Sequence, residues 1–253
     1  MKFQAVEAGV RQVRAEVPGP YTGIPLLLAY APREGAYRGT ILHYHGLTET
    51  KESYRALLTQ YAKRGFLAVG VDALGHGERR AQEFDLETSR FANVLRWAEE
   101  SAQEVPAILD ALAGLVGRGI GRAAVSGVSF GGFIAFAAMV REPRLAALVS
   151  ILGSPDLTDG GRLVAPPPAH SSPHHDAVKF ALRPVLAINA ALDQSVPPQQ
   201  ARGFVDGLRP LYAAHPERLA YHEFPGEGHF ISDASWDLVW AKTHDWMERW
   251  LPA

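Results

Sequence analysis

The chain has 253 residues, 47% hydrophobic and 21% charged, with a formal net charge of -2 at pH 7. This is the make-up of a soluble globular chain long enough for one large α/β domain, and it carries no basic stripe to mark a nucleic-acid binder. It holds no cysteine, which excludes disulfides, thiolate metal sites and a cysteine nucleophile.

The first forty or so residues hold short β-like pieces that suit an antiparallel edge. Thr40 to His45 reads as a strand ending at Gly46, and Tyr54 to Arg64 as a helix. Phe66 to Val71 is a second strand, stopping at Asp72. Phe91 to Val116 contains a long helix, because Val94, Leu95, Ala98, Ala102, Val105, Ile108, Leu109 and Leu112 recur at spacings of three and four. Strands follow at 123–128, 146–152 and 185–190, with helices at 130–140 and 199–208. A sixth strand at 219–224 alternates more, and a helix over 236–250 closes the chain. Near-continuous apolar strands need cover on both faces. Their alternation with helices predicts one domain over 1–253, an α/β fold with a doubly wound, mostly parallel sheet and helices on both sides. No internal repeat is present. The segment 156–176, rich in Pro, Gly, Ser and His, is expected to be a short cap or loop insertion.

Residues 124–132 read AVSGVSFGG. Ser129 stands where a strand ends and a helix begins, inside Gly127-Val128-Ser129-Phe130-Gly131, a G-x-S-x-G pattern. A sharp turn there strains the serine and lifts its hydroxyl above the sheet. Glycines are needed because strand and helix backbones come too close for Cβ atoms. The helix that follows aims free N–H groups and its positive end at the same point.

On these residues the chain resembles the α/β-hydrolases, from about residue 22 to the C-terminus. In that fold the nucleophile is followed along the chain by an acid and then a histidine. The resemblance therefore implies Ser129, Asp193 and His229 as a catalytic triad. Asp193 follows the fifth strand in Leu192-Asp193-Gln194-Ser195-Val196-Pro197, and His229 lies in the glycine loop Gly226-Glu227-Gly228-His229-Phe230. Asp156, after the fourth strand, is a rival acid. His45-Gly46-Leu47 resembles the family's oxyanion segment, which implies the backbone amides of Leu47 and Phe130 as the oxyanion hole. His45 and Phe133 are expected in the substrate pocket. Asp72-Ala73-Leu74-Gly75-His76-Gly77-Glu78 resembles the family's D-x-x-G-H-G segment, with Glu78 where serine is usual. It is expected to be structural, at the edge of the site.

The expected chemistry is acyl transfer through an acyl-enzyme, with water as the second acceptor and no cofactor. The pair His43 and His45 has metal-binding spacing but lacks an H-x-H-x-D-H continuation, and prolines interrupt His170, His174 and His175, so no metal site is expected. The chain is also similar to the dienelactone-hydrolase-like branch, which normally uses cysteine. It is similar too to the catalytic domain of prolyl-oligopeptidase-type peptidases, which normally carries a large N-terminal propeller. Only residues 156–176 and those around Phe84 to Phe91 are expected to form a cap, and a small cap favours small esters. The expectation is a carboxylesterase for short-chain acyl esters, with a small-molecule ester as its partner. Peptidase, thioesterase or amidase activity, cofactor-free perhydrolase or haloperoxidase chemistry, and a non-catalytic ligand-binding role stay open. The segment MKFQAVEAGV lacks the apolar core of a signal peptide, and no apolar run is long enough to span a membrane. A cytoplasmic location is expected, without a membrane or nucleic-acid partner.

Overall fold

Three strands open the chain, β1 (Phe3–Glu7), β2 (Val10–Val17) and β3 (Ile24–Tyr30), paired antiparallel in succession. The computed structural model describes residues 3–7, 9–32, 34–80, 91–158 and 172–252. Six further strands follow: β4 (Thr40–Tyr44), β5 (Leu67–Val71), β6 (Ala123–Val128), β7 (Leu145–Ile151), β8 (Val185–Ala190) and β9 (Leu219–Phe224). Among the described residues they form one sheet of nine strands in the order β1-β2-β3-β5-β4-β6-β7-β8-β9. β3 meets β5 antiparallel, and every pairing from β5 to β9 is parallel. The antiparallel edge and the doubly wound parallel sheet expected from the sequence are both present.

Successive strand residues point to opposite faces. Here both faces are apolar. Leu42, Val69, Val125 and Leu148 belong to one buried cluster, their neighbours Ile41, Ala68, Ala124 and Val149 to the other. Helices α1 (Arg55–Lys63) and α6 (Asp233–Trp250) cover the second cluster through Leu58, Tyr61, Val239 and Met247. Helices α2 (Phe91–Gln103), α3 (Val105–Val116), α4 (Phe130–Arg141) and α5 (Pro198–Leu208) cover the first. The sheet is therefore the middle layer of three, which is why its strands read as apolar runs.

Two expectations needed correction. The long helix within 91–116 is two helices, α2 and α3, separated at Glu104, with Pro106 in the first turn of α3. Proline has no N–H to continue a helix but suits a helix start. The last helix begins at Asp233 rather than 236, because Ser232 caps it by accepting a hydrogen bond from the Ser235 amide. Most of the expected cap lies outside the described residues: 159–171 of the segment 156–176, and 84–90 of the second candidate.

In the strand order β4 is flanked by β5 on one side and β6 on the other, so the chain winds away from it in both directions. Such a switch point leaves a crevice beyond the carboxyl ends of the strands, where ligands of open α/β sheets bind. Gly46 and Ser129 follow β4 and β6 at that end.

Candidate active site

Ser129 has φ 52° and ψ -111°, a strained conformation for a residue with a side chain, forced by the reversal from β6 into α4. The surrounding glycines are sterically required. A Cβ on Gly127 would lie 2.2 Å from the Gly131 carbonyl oxygen, and one on Gly131 would lie 2.1 Å from the Tyr44 carbonyl oxygen at the end of β4. The Ser129 amide donates to the Ile151 carbonyl of β7 at 2.7 Å, which pins the turn. Phe130 begins α4, so its N–H has no acceptor within the helix.

The Ser129 hydroxyl lies 2.8 Å from Nε2 of His229, and Nδ1 of His229 lies 2.7 Å from Oδ2 of Asp193. Since an ionised carboxylate only accepts, Nδ1 carries the proton and Nε2 presents its lone pair to the serine. The other oxygen of Asp193 accepts from the amides of Ser195 and Val196, both at 2.8 Å, which fixes the carboxylate plane. The side chain of Asp193 is wholly buried, while His229 keeps a solvent-facing edge. The rival acid Asp156 belongs to a different cluster: Oδ1 accepts from the Thr158 amide at 2.7 Å and Oδ2 from Gln200 at 3.3 Å. The structure thus brings together the three residues that the sequence singles out.

The segment after β4 turns at Gly46-Leu47-Thr48-Glu49, where the Glu49 amide donates to the Gly46 carbonyl at 3.2 Å and Thr48 has φ 66°. Leu47 and Phe130 both border a cavity of about 540 Å³ beside Ser129 and His229. Its walls are mostly apolar: Tyr54, Val94, Phe133, Leu152, Val196 and Trp236 contribute, and Phe230 stands almost fully exposed at 94%. Phe133 is in the wall as expected. His45 is not. Its side chain is fully buried, Nδ1 donates to the Gly46 carbonyl at 2.8 Å, and Nε2 accepts from the Ala73 amide at 3.2 Å. Burial holds its pKa below the ordinary histidine value, so the ring is neutral and serves as a strut between the loops after β4 and β5.

The D-x-x-G-H-G segment is structural too. Asp72 accepts from the Lys51 amide at 2.8 Å and from Lys51 Nζ at 2.7 Å, and Glu78 also meets Nζ at 2.5 Å. Glu78 therefore completes a charge cluster around a buried lysine. A Cβ on Gly77 would fall 2.2 Å from a carboxylate oxygen of Asp72. His76 stacks on Phe130 with ring centroids 4.8 Å apart, and burial lowers its pKa to about 4, so it packs as a neutral ring behind the elbow. Among the described residues no group of three or more His, Cys, Asp or Glu side chains could hold a metal. His43 is instead tied to the Ser126 hydroxyl at 2.7 Å, and His174 to that of Ser172 at 2.9 Å; His170 lies outside the described residues.

A family model described as Hydrolase_4, serine aminopeptidase S33, matches residues 35–171. The chain belongs to this family. Like other members of the α/β-hydrolase fold, it is a hydrolase, similar to esterases and peptidases. It is 26% identical over 257 residues to YitV of Bacillus subtilis, named as a candidate esterase, with 91% of this chain and 96% of that protein aligned. Among solved structures, TT1662 from Thermus thermophilus superposes with a TM-score of 0.75 at 25% identity, covering 96% of this chain and 99% of that one. An acylaminoacyl peptidase from Pyrococcus horikoshii shares the fold with a TM-score of 0.73 at 16% identity, over 97% of this chain but 42% of that one.

Several residues of this hydrolase's cavity escaped the sequence reading. Val94 and Trp236 carry only a helical apolar signal, which reads as core. Glu49 and Tyr54 follow the His-Gly segment, where a carboxylate reads as a solvated loop residue. The one available signal is spacing: Glu49 sits three residues after Gly46, within reach of a turn's own backbone.

Proposed function

We propose that this hydrolase is a serine carboxylesterase for short-chain acyl esters, working through an acyl-enzyme on Ser129. The observation that carries the reading is the unbroken hydrogen-bonded line from Ser129 Oγ through His229 to Asp193, at a strained turn opening on an apolar cavity. His229 takes the serine proton as Oγ attacks the ester carbonyl carbon, and Asp193 stabilises the imidazolium. The amides of Leu47 and Phe130 receive the oxyanion. His229 then protonates the departing alcohol, and the same sequence with water releases the acid.

The likeness to YitV supports an ester substrate. The family description supports a second reading, amide hydrolysis at a peptide N-terminus. No helix among the described residues is long and apolar enough to cross a membrane, and a small-molecule ester met in the cytoplasm is the proposed substrate. The test is hydrolysis of p-nitrophenyl acetate, butyrate, octanoate and palmitate beside aminoacyl p-nitroanilides. Turnover falling with chain length, and lost in Ser129→Ala, is expected. Activity that survives the substitution would end the proposal, and faster cleavage of the anilides would favour the peptidase.

A further inference from the structure

Glu49 is the one acidic side chain among the described residues that border the cavity. A carboxylate next to a forming oxyanion is unfavourable by Coulomb's law unless it is held away from it. Here Oε2 accepts from the Gly46 amide at 2.8 Å and from the Tyr54 hydroxyl at 2.8 Å. Burial first, and then the charge of Glu49, raise the Tyr54 pKa, so the phenol stays a neutral donor. The Glu49 amide in turn donates to the Gly46 carbonyl. The turn is thus closed twice, once by its backbone and once by the side chain of its last residue. Between the two closures lie Leu47, in the second turn position, whose N–H the backbone closure does not use, and Thr48 at φ 66°. A β-branched residue strains that conformation, so the turn needs an outside restraint. Gly46 makes room for it. A Cβ there would lie 2.6 Å from Glu49 Oε2.

We propose that Glu49 is a positioning residue: its carboxylate, seated over Gly46 and steadied by Tyr54, holds the turn so that the Leu47 amide is pre-organised for the oxyanion. This rests on the serine-hydrolase reading. The role is not substrate binding, because the oxygen that Gly46 and Tyr54 share faces the protein's own turn.

The test separates the two readings. Wild type, Glu49→Ala, Glu49→Gln, Tyr54→Phe and Ser129→Ala are incubated with a fluorophosphonate, which labels an activated serine whatever the natural substrate is. Steady-state rates on p-nitrophenyl acetate and melting temperatures are measured alongside. Glu49→Ala should label at least tenfold more slowly and lose kcat by a similar factor, with KM nearly unchanged. Glu49→Gln keeps an oxygen that can accept both donors, so it should recover most of the rate, and Tyr54→Phe should fall between. Every variant should melt near wild type. Labelling undiminished in a folded Glu49→Ala would overturn the positioning role alone. So would an effect confined to KM, or a Glu49→Gln no better than Glu49→Ala. Wild type that fails to label, or labels as Ser129→Ala does, would overturn the serine-hydrolase reading and this one with it.

Discussion

Asp193 shows how one side chain sets the protonation pattern of its neighbours. Oδ1 is committed to two backbone amides and Oδ2 to His229. An asparagine here must keep its carbonyl oxygen on the amides of Ser195 and Val196, which turns its NH₂ toward Nδ1. The imidazole then accepts at Nδ1 and carries its proton on Nε2, where it can no longer take the serine proton. Asp193→Asn should therefore lower kcat by roughly 10³ to 10⁴, with the melting temperature and KM close to wild type. A loss under tenfold would sink the assignment, and an equal loss in Asp156→Asn would move the acid to the other cluster. Ser129, Asp193 and His229 were legible because each lies in a short pattern directly after a strand, where chain order and secondary structure already limit the choices. Glu49 was not. Its partner is a backbone amide within a turn, and only coordinates bring the two together. His45 failed in the opposite sense, since a motif residue expected in the pocket turned out to be a strut behind it.

At the scale of elements, the loops after β4 and β5 are joined by buried charge. Lys51 and Asp72 are almost entirely shielded from solvent, while the two further partners of the ammonium, Glu78 and Glu52, reach water. Hydrogen bonds to Asp72 and Glu78 outweigh burial and raise the lysine pKa, so the ammonium stays charged. Asp72→Asn removes the one fully buried counter-charge and leaves the ammonium only Glu78 and Glu52, which are partly exposed to solvent. Asp72→Asn is expected to destabilise the fold by about 3–5 kcal/mol, read as a shift in urea midpoint at pH 7. A loss below about 1 kcal/mol would mean that water, or Glu78 with Glu52, satisfies Lys51. A second buried pair explains why the helix expected over 91–116 is divided. At the break, Glu104 turns to meet Arg79 through two hydrogen bonds of 2.6 Å, tying the start of α3 to the loop after β5. The apolar spacing runs through both helices because both cover the same sheet face, so periodicity alone joined them. Pro106 was the signal for the division. The strands were more legible, because burial on both faces turns each into an apolar run bounded by a change of composition.

Across the whole molecule, folding stores neutral histidines. Burial, aided by the neighbouring His45, lowers the pKa of His43 to about 3, and burial first lowers those of His76 and His244 to about 4. His45 is shifted in the same direction. In the unfolded chain each returns to about 6.5. A folded pKa below the unfolded one means that unfolding takes up protons once the pH drops under about 6.5, roughly three at pH 5 from His43, His76 and His244, with His45 acting in the same direction. Their contribution is therefore fully present above pH 6.5 and lost progressively as the pH falls toward 4. Urea unfolding at pH 7.5, 6.5, 5.5 and 4.5 should give stability that declines ever more steeply through this series. His244 offers a way to isolate one proton. It lies on α6, away from the cavity, edge-on to Tyr61 with ring centroids 5.2 Å apart, a contact that phenylalanine can keep. His244→Phe should reduce the slope between pH 6.5 and 4.5 by about one proton, or roughly 1.4 kcal/mol per pH unit, and leave hydrolase activity at pH 7.5 intact. An unchanged slope in this variant would show that His244 already carries its proton in the folded state, and wild-type stability that peaks near pH 5 would show the same of the buried rings together. His76 would then be a cation stacked on Phe130, next in the chain to Ser129, and the field at that turn would be that of a charged ring in place of a neutral one.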